Sequence, residues 1–191
     1  MVEYEVVYED VKKLVSEKRF KHSEGVVQRA LEYAQIYGAD ENEVKLSAIA
    51  HDIAKELPKD KIISYAKEIG VNLDKIEKIN LNLPHAKLGA QICKTKYEFT
   101  DDMANAVKYH TTGRENMSLL EKIIYLADAT EPGRTYFDLQ YYVDLIKKDI
   151  DRGLFEVAKW NIENIVSKGG IVHLDTIRCY NFYNKKLSRE N

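Results

Sequence analysis

This sequence predicts an all-α fold, a single helical bundle, and three observations point there. Apolar residues recur at spacings of three and four along most of the chain, the repeat of a helix with one buried face. Residues that start and stop helices punctuate those runs. No stretch shows the clean apolar–polar alternation of a half-buried strand.

A first short helix covers VYEDVKKLV (7–15). A second runs from about Ser16 to Tyr37 and stops at Gly38, because glycine accepts the left-handed cap conformation. A third covers about Glu41 to Lys55. Pro58 fits the first turn of a fourth, which stops near Gly70. A short helix near Leu73–Ile79 leads into the loop NLNLP, which ends at Pro84. The next helix runs from His85 to about Tyr97. Thr100 or Asp101 caps one that ends near His110, with TTG as its stop. Ser118 caps SLLEKIIYLADA, and helices near 137–149 and 152–167 precede Gly169 and Gly170. The tail IVHLDTIRCYNFYNKKL mixes β-branched and aromatic residues with helical spacing, and the spacing predicts a final helix.

The chain has 191 residues, which fits one domain, or one domain with a small appendage. Hydrophobic residues make up 45% and charged residues 31%, so a sizeable core with a solvated surface is expected. The formal net charge of -2 gives no electrostatic reason to expect DNA, RNA or an anionic membrane as partner. The two cysteines, Cys93 and Cys179, make no disulfide framework. The start MVEYEVVYEDVKK is acidic and lacks the basic opening and apolar stretch of a signal peptide. No apolar run is long enough to span a bilayer. The expectation is a cytoplasmic protein with reduced thiols, with homodimerisation left open.

AIAHDIAKEL (48–57) puts His51 and Asp52 side by side in an apolar, helix-forming run. His51 has Ser47, Ala48 and Ala54 as neighbours one turn away, His22 has Val26, and His85 has Leu88 and Gly89. His110 follows Ala106 and Val107, and Asp128 has Ile124 one turn before it. All of these polar residues therefore fall on or beside faces that should point inward. A single histidine there is more often an ordinary core or surface residue, and a buried ion pair is as good a reading of Asp128 as a ligand. A buried carboxylate without a partner costs several kcal/mol, and two of them with four imidazoles on five helices form a pattern. Imidazole and carboxylate are the usual ligands of iron, manganese, zinc or nickel. Six such ligands suit two metals bridged by a carboxylate, a standard device for phosphoester hydrolysis. His173, in GIVHLD, lacks this context and is read as an ordinary histidine.

The order His22, His51-Asp52, His85, His110, Asp128 resembles the HD-domain phosphohydrolase superfamily, whose basic pattern is H…HD…D. His85 and His110 mark the subset that holds two metals. KRFKHSEGV (18–26), AIAHDIAKEL (48–57), LPHAKLGA (83–90), YHTTG (109–113) and IIYLADATEPGR (123–134) resemble the bacterial YqeK family. The stretch TYFDL after Arg134 departs from that family's pattern. The resemblance implies one HD domain over 1–191, with metal motifs in 18–134 and a C-terminal helical region in 135–191. It implies symmetrical hydrolysis of diadenosine tetraphosphate to two ADP. It also implies a ligand assignment: His22, His51, Asp52 and Asp128 for one metal, and Asp52, His85 and His110 for the other. Asp52 would bridge them, and the family is associated with iron.

A polyphosphate needs cations nearby. Lys55 follows Asp52 by three residues, Arg19 precedes His22 by three, and Arg134 follows the Asp128 helix. These three are the expected phosphate contacts, with Lys55 catalytic beside Asp52. Thr111 and Thr112 either bond phosphate or end a helix. Glu131 either orients a ligand histidine or pairs with Arg134. Tyr136, Tyr141 and Tyr142 are candidates for stacking on a base. Two other readings stay open: a phosphohydrolase of other nucleotides or alarmones, and a metal-bound nucleotide sensor. The complete ligand set argues against the sensor.

Overall fold

The computed structural model describes residues 2–135 and 138–189. Within them all the regular secondary structure is helical, with no strand. The helices are α1 (Tyr4–Leu14), α2 (Glu17–Tyr37), α3 (Glu41–Ala50), α4 (Ile62–Glu68), α5 (Lys75–Ile79), α6 (His85–Tyr97), α7 (Asp101–Tyr109), α8 (Leu119–Thr130), α9 (Leu139–Lys148), α10 (Ile150–Ser167) and α11 (Leu174–Leu187). None of them is long and apolar enough to cross a membrane.

Local chemistry sets the boundaries. Ser16 and Thr100 accept the N–H groups of Arg19 and Met103, opening α2 and α7. Ser118 and Glu121 exchange bonds in a capping box at the start of α8, as do Asp74 and Glu77 at α5. Gly38 ends α2 in the left-handed conformation, as its position predicts. The third helix is shorter than its periodicity suggests. It ends at Ala50, and the chain continues to Glu56 in tighter turns, with Ile53 N–H donating to Ala50 O and Lys55 N–H to Asp52 O. Pro58 opens a 3-10 turn at Lys59–Lys61 rather than α4 itself. The first helix begins earlier than expected, at Tyr4, where the Tyr4 and Tyr8 rings pack with centroids 5.7 Å apart.

α2, α3, α7 and α8 pack on one another at the centre, and α6 lies against α7. α1 covers α3, while α10 lies against α8 and carries α9 and α11. The centre is apolar: Val26, Ala30, Leu46, Ile49, Val107, Ile123 and Leu126 are all buried. One polar tie crosses it. Thr130 Oγ1 donates to Leu126 O, so the Tyr33 hydroxyl, 2.8 Å away, donates to Thr130. Arg29 Nε donates to Thr130 O at 2.9 Å. α2 therefore grips the C-terminal end of α8. Cys93 and Cys179 are free and buried, and burial pushes the Cys179 thiol up to about 12.

Gly113 joins the central helices to α11. It adopts φ +64, and a β-carbon there would stand 2.7 Å from Cys179 Sγ. Gly113→Ala is expected to cost about 1–3 kcal/mol through strain and overpacking. A urea-unfolding midpoint unchanged by the substitution would contradict that packing.

Candidate metal centre

Five helices deliver the polar residues to one point. His22 lies on α2, and His51 and Asp52 follow the last residue of α3. His85 opens α6, His110 follows α7, and Asp128 lies in the last turn of α8. Because the helix ends meet here, the side chains converge where backbone groups are also unpaired by the helix. His51, Asp52, His85 and His110 are buried.

Asp52 stands in the middle. Its Oδ1 lies 3.1 Å from His85 Nε2 and 3.5 Å from His110 Nε2. Its Oδ2 lies 3.5 Å from His51 Nε2 and 3.9 Å from His22 Nε2. Asp128 Oδ1 lies 3.1 Å from His22 Nε2. The two oxygens of one carboxylate thus face two different pairs of imidazoles.

Each imidazole is oriented through its other nitrogen. Nδ1 of His51, His85 and His110 faces the carbonyl three residues earlier, Ala48 O at 2.7 Å, Asn82 O at 2.6 Å and Val107 O at 2.7 Å. A carbonyl only accepts, so Nδ1 carries the proton and Nε2 keeps its lone pair. His22 Nδ1 meets a carboxylate instead, Glu131 Oε1 at 3.2 Å. Four ring nitrogens with lone pairs therefore point at the Asp52 carboxylate. His85 Nε2 and His110 Nε2 are 3.1 Å apart, a distance at which two lone pairs repel unless a cation is shared. His22 Nε2, His51 Nε2 and Asp52 Oδ1 are buried without a hydrogen-bond partner among the described residues, which is costly for such groups. The donors and their unmet demand suit a divalent metal.

The electrostatics agree. Burial works to raise the Asp52 pKa, but the surrounding imidazoles outweigh it and hold the carboxyl well below the ordinary carboxylate range. Asp128 is also held low against the effect of burial, by His22 and by charges that include Arg134. Burial pushes His85 down to about 4 and lowers His51, so both favour the neutral, ligating form. At His22 burial is overcome by Asp128 and Glu131, and its pKa is raised. Two carboxylates around one imidazole favour a cation at that point.

Lys55, Arg19, Thr111, Arg134 and Glu131 border this cluster. Lys55 does so from a turn rather than a helix face, with Nζ 3.1 Å from His85 Nε2 and 3.7 Å from Asp52 Oδ1. Arg19 Nη1 donates to Asp52 Oδ2 at 2.9 Å, and Arg134 Nη2 to Asp128 Oδ1 at 2.6 Å. Both guanidinium groups thus hold the cluster's own carboxylates. Thr111 Oγ1 lies 3.0 Å from His110 Nε2, while Thr112 turns away to donate to Gly113 O. Glu131 contacts both His22, at 3.2 Å, and Arg134, whose Nε lies 3.7 Å from it. Gly25 and Gly133 make room for it: a β-carbon would stand 2.7 Å and 2.9 Å from Glu131 Oε2. Tyr136 lies outside the described residues. Tyr141 and Tyr142 pack edge to face on α9 and line none of the cavities beside the cluster.

Glu56 escaped sequence reasoning. Its carboxylate accepts Ser16 N–H at 2.6 Å and Ser16 Oγ–H at 2.7 Å, tying the start of α2, with Arg19 and His22, to the turn bearing His51 and Asp52. Its place in AIAHDIAKEL was the only signal. A second group of three donors, Asp74, Glu77 and His173, is already satisfied: His173 Nε2 lies 2.7 Å from Asp74 Oδ2, and Lys87 Nζ 2.7 Å from Glu77 Oε2.

Comparison with known proteins gives concordant matches. Residues 19–133 match the family described as HD domain. The chain is 35% identical over 176 residues to the symmetrical bis(5'-nucleosyl)-tetraphosphatase of Bacillus subtilis, covering 90% of this chain and 92% of that protein. It is 31% identical over 176 residues to the protein of the same name from Staphylococcus aureus, covering 91% and 90%. A crystal structure from Clostridium acetobutylicum, described as a predicted HD superfamily hydrolase involved in NAD metabolism, superposes with a TM-score of 0.92 at 35% identity. The superposition covers 97% of this chain and 99% of that one.

Glu131→Ala is expected to weaken metal binding about 10–100-fold by freeing the His22 ring. Titration of the metal-free protein with Mn²⁺ checks this. Unchanged affinity would show that Glu131 does not orient His22.

Proposed function

On the premise that the chain belongs to the HD domain family, as it does, we propose that it hydrolyses diadenosine tetraphosphate symmetrically to two ADP at a two-metal centre. The observation that carries this reading is the division of the Asp52 carboxylate between two sets of imidazoles. Relatives more than 30% identical over about nine-tenths of both chains bear the name of that activity. In this reading His22, His51, Asp52 and Asp128 hold one ion, and Asp52, His85 and His110 hold the other. Iron is the metal the family resemblance implies, and manganese, nickel and zinc suit the same donors. When bound, such ions supply Lewis-acid charge to phosphate oxygens and lower the pKa of water.

The chain's own residues do the rest. Asp52 and Asp128 supply the charge that keeps cations in a buried place, and Arg19 and Arg134 fix those carboxylates. Lys55 shares its acceptor, His85 Nε2, with the ligand set. With that nitrogen committed as a ligand, its ammonium is free to turn to a phosphate oxygen and offset charge on the departing ADP. Thr111 offers a hydroxyl at the same edge. Arg19 and Arg134, both partly exposed, extend the positive rim along which a polyphosphate would lie. Overall, water adds to one of the two central phosphorus atoms, the bridging P–O bond breaks, and each half leaves as ADP. Cytoplasmic location goes with a nucleotide substrate of this kind.

Chromatography of products from metal-loaded protein and diadenosine tetraphosphate tests the reading. ADP as sole product is expected, whereas ATP with AMP would place the cleavage wrongly. Lys55→Ala is expected to lower kcat by about 10- to 1,000-fold, the scale of losing a cation that acts on developing charge, with metal content retained. A kcat unchanged in that variant would remove Lys55 from the chemistry.

A further inference from the structure

A cavity of about 260 Å³ lies directly beside the cluster, near the lower end of small-molecule sites at roughly 300 Å³. Four separate parts of the chain build it: the loop before α6, the turn after α7, the end of α10, and the link into α11. Thr111 is the shared wall. It lines this cavity and also the smaller one bounded by His110, Asp128 and Arg134. Its hydroxyl lies 3.0 Å from His110 Nε2 and 3.4 Å from His85 Nε2. An occupant would therefore meet the cluster at the Oδ1 side of Asp52.

The lining has the chemistry of a heterocycle site rather than a phosphate site. Leu83, Ile165 and Ile171 supply apolar walls, and Ile171 is 50% exposed although it is an isoleucine. Asn80 and Asn164 supply two carboxamides. Asn80 Oδ1 accepts Asn82 N–H at 3.2 Å, which leaves its NH₂ to donate. The half-buried Asn164 side chain makes no hydrogen bond among the described residues. A carboxamide offers a donor and an acceptor side by side, the pattern that reads the edge of a purine. The only fixed charge on the wall is Lys168, which is exposed.

The wall is held in place before anything binds. His173 Nδ1 accepts Asp175 N–H at 3.1 Å, so its Nε2 carries the proton donated to Asp74 Oδ2 at 2.7 Å. That bond pins the link into α11 to the start of α5. Gly170 N–H donates to Ile165 O at 2.9 Å, and a β-carbon on Gly170 would stand 2.9 Å from Ile165 Cγ2. The histidine that sequence reasoning set aside thus shapes this cavity without ligating metal.

We propose that this cavity is a purine-nucleoside subsite: Asn164 and Asn80 grip the base, and Thr111 marks where the 5′-phosphates turn onto the cluster. The proposal rests on the proposed activity for the identity of its substrate, but not for the existence of the site. One chain would then hold one nucleoside end firmly and leave the other end of a two-ended substrate to the open rim.

The test is calorimetric binding of ADP to the metal-loaded full chain, with inorganic tripolyphosphate as a probe of the cluster alone. The wild-type chain is compared with Asn164→Leu and with Ile171→Gly, the latter at an exposed position where folding is not at stake. ADP affinity reduced about tenfold or more, with metal content and tripolyphosphate affinity unchanged, is the expected result. Unchanged ADP affinity in both variants would overturn the subsite, as would wild-type protein that binds tripolyphosphate but not ADP. If ADP binding is lost in the variants while the wild type leaves diadenosine tetraphosphate intact, the subsite stands and the proposed activity fails.

Discussion

One buried carboxylate governs this structure. Asp52 sits among four imidazoles and one guanidinium, with Oδ1 turned to His85 and His110 and Oδ2 to His51, His22 and Arg19. A carboxylate this deeply buried is tolerable only when it is ionised among cations or cation-binding groups. The ends of α3, α6, α7 and α8, with the start of α2, bring six polar groups together there. The Tyr33–Thr130 bond and the Glu56–Ser16 pair hold α2 against α8 and against the turn after α3, so that this meeting point is reproducible.

The backbone takes part in the chemistry through the histidine rings. Three of them donate Nδ1–H to a carbonyl three residues back, an acceptor available because these residues lie at or just beyond a helix end. His22, inside α2, has no such free carbonyl and uses Glu131. Glycine at 25 and at 133 leaves the space that the Glu131 carboxylate occupies. The same logic of helix ends, carbonyls and small residues turns four imidazoles toward Asp52 from two kinds of local setting.

Much of this was legible in the sequence. Ser16, Gly38, Thr100 and Ser118 announce helix limits through chemistry that acts within a few residues, and the structure places caps at those positions. Inward-facing histidines and aspartates were legible because periodicity assigns faces. The end of α3 was not, since apolar spacing cannot separate an α-helix from tighter turns of nearly the same repeat. The carboxylate contacts of Arg19 and Arg134 were hidden for another reason. A cation near a motif reads as a phosphate contact, and only distance shows that it also braces a carboxylate. The cavity beside Thr111 draws on residues 80, 111, 164 and 171, which no local pattern joins.

The central claim is that Asp52 is shared between two metal positions. Elemental analysis of metal per chain, on the purified wild type and on Asp52→Ala after identical loading, tests it most directly. Two equivalents in the wild type and none in the variant are the predicted result. An Asp52→Ala protein that is folded and still carries two equivalents would contradict the shared role.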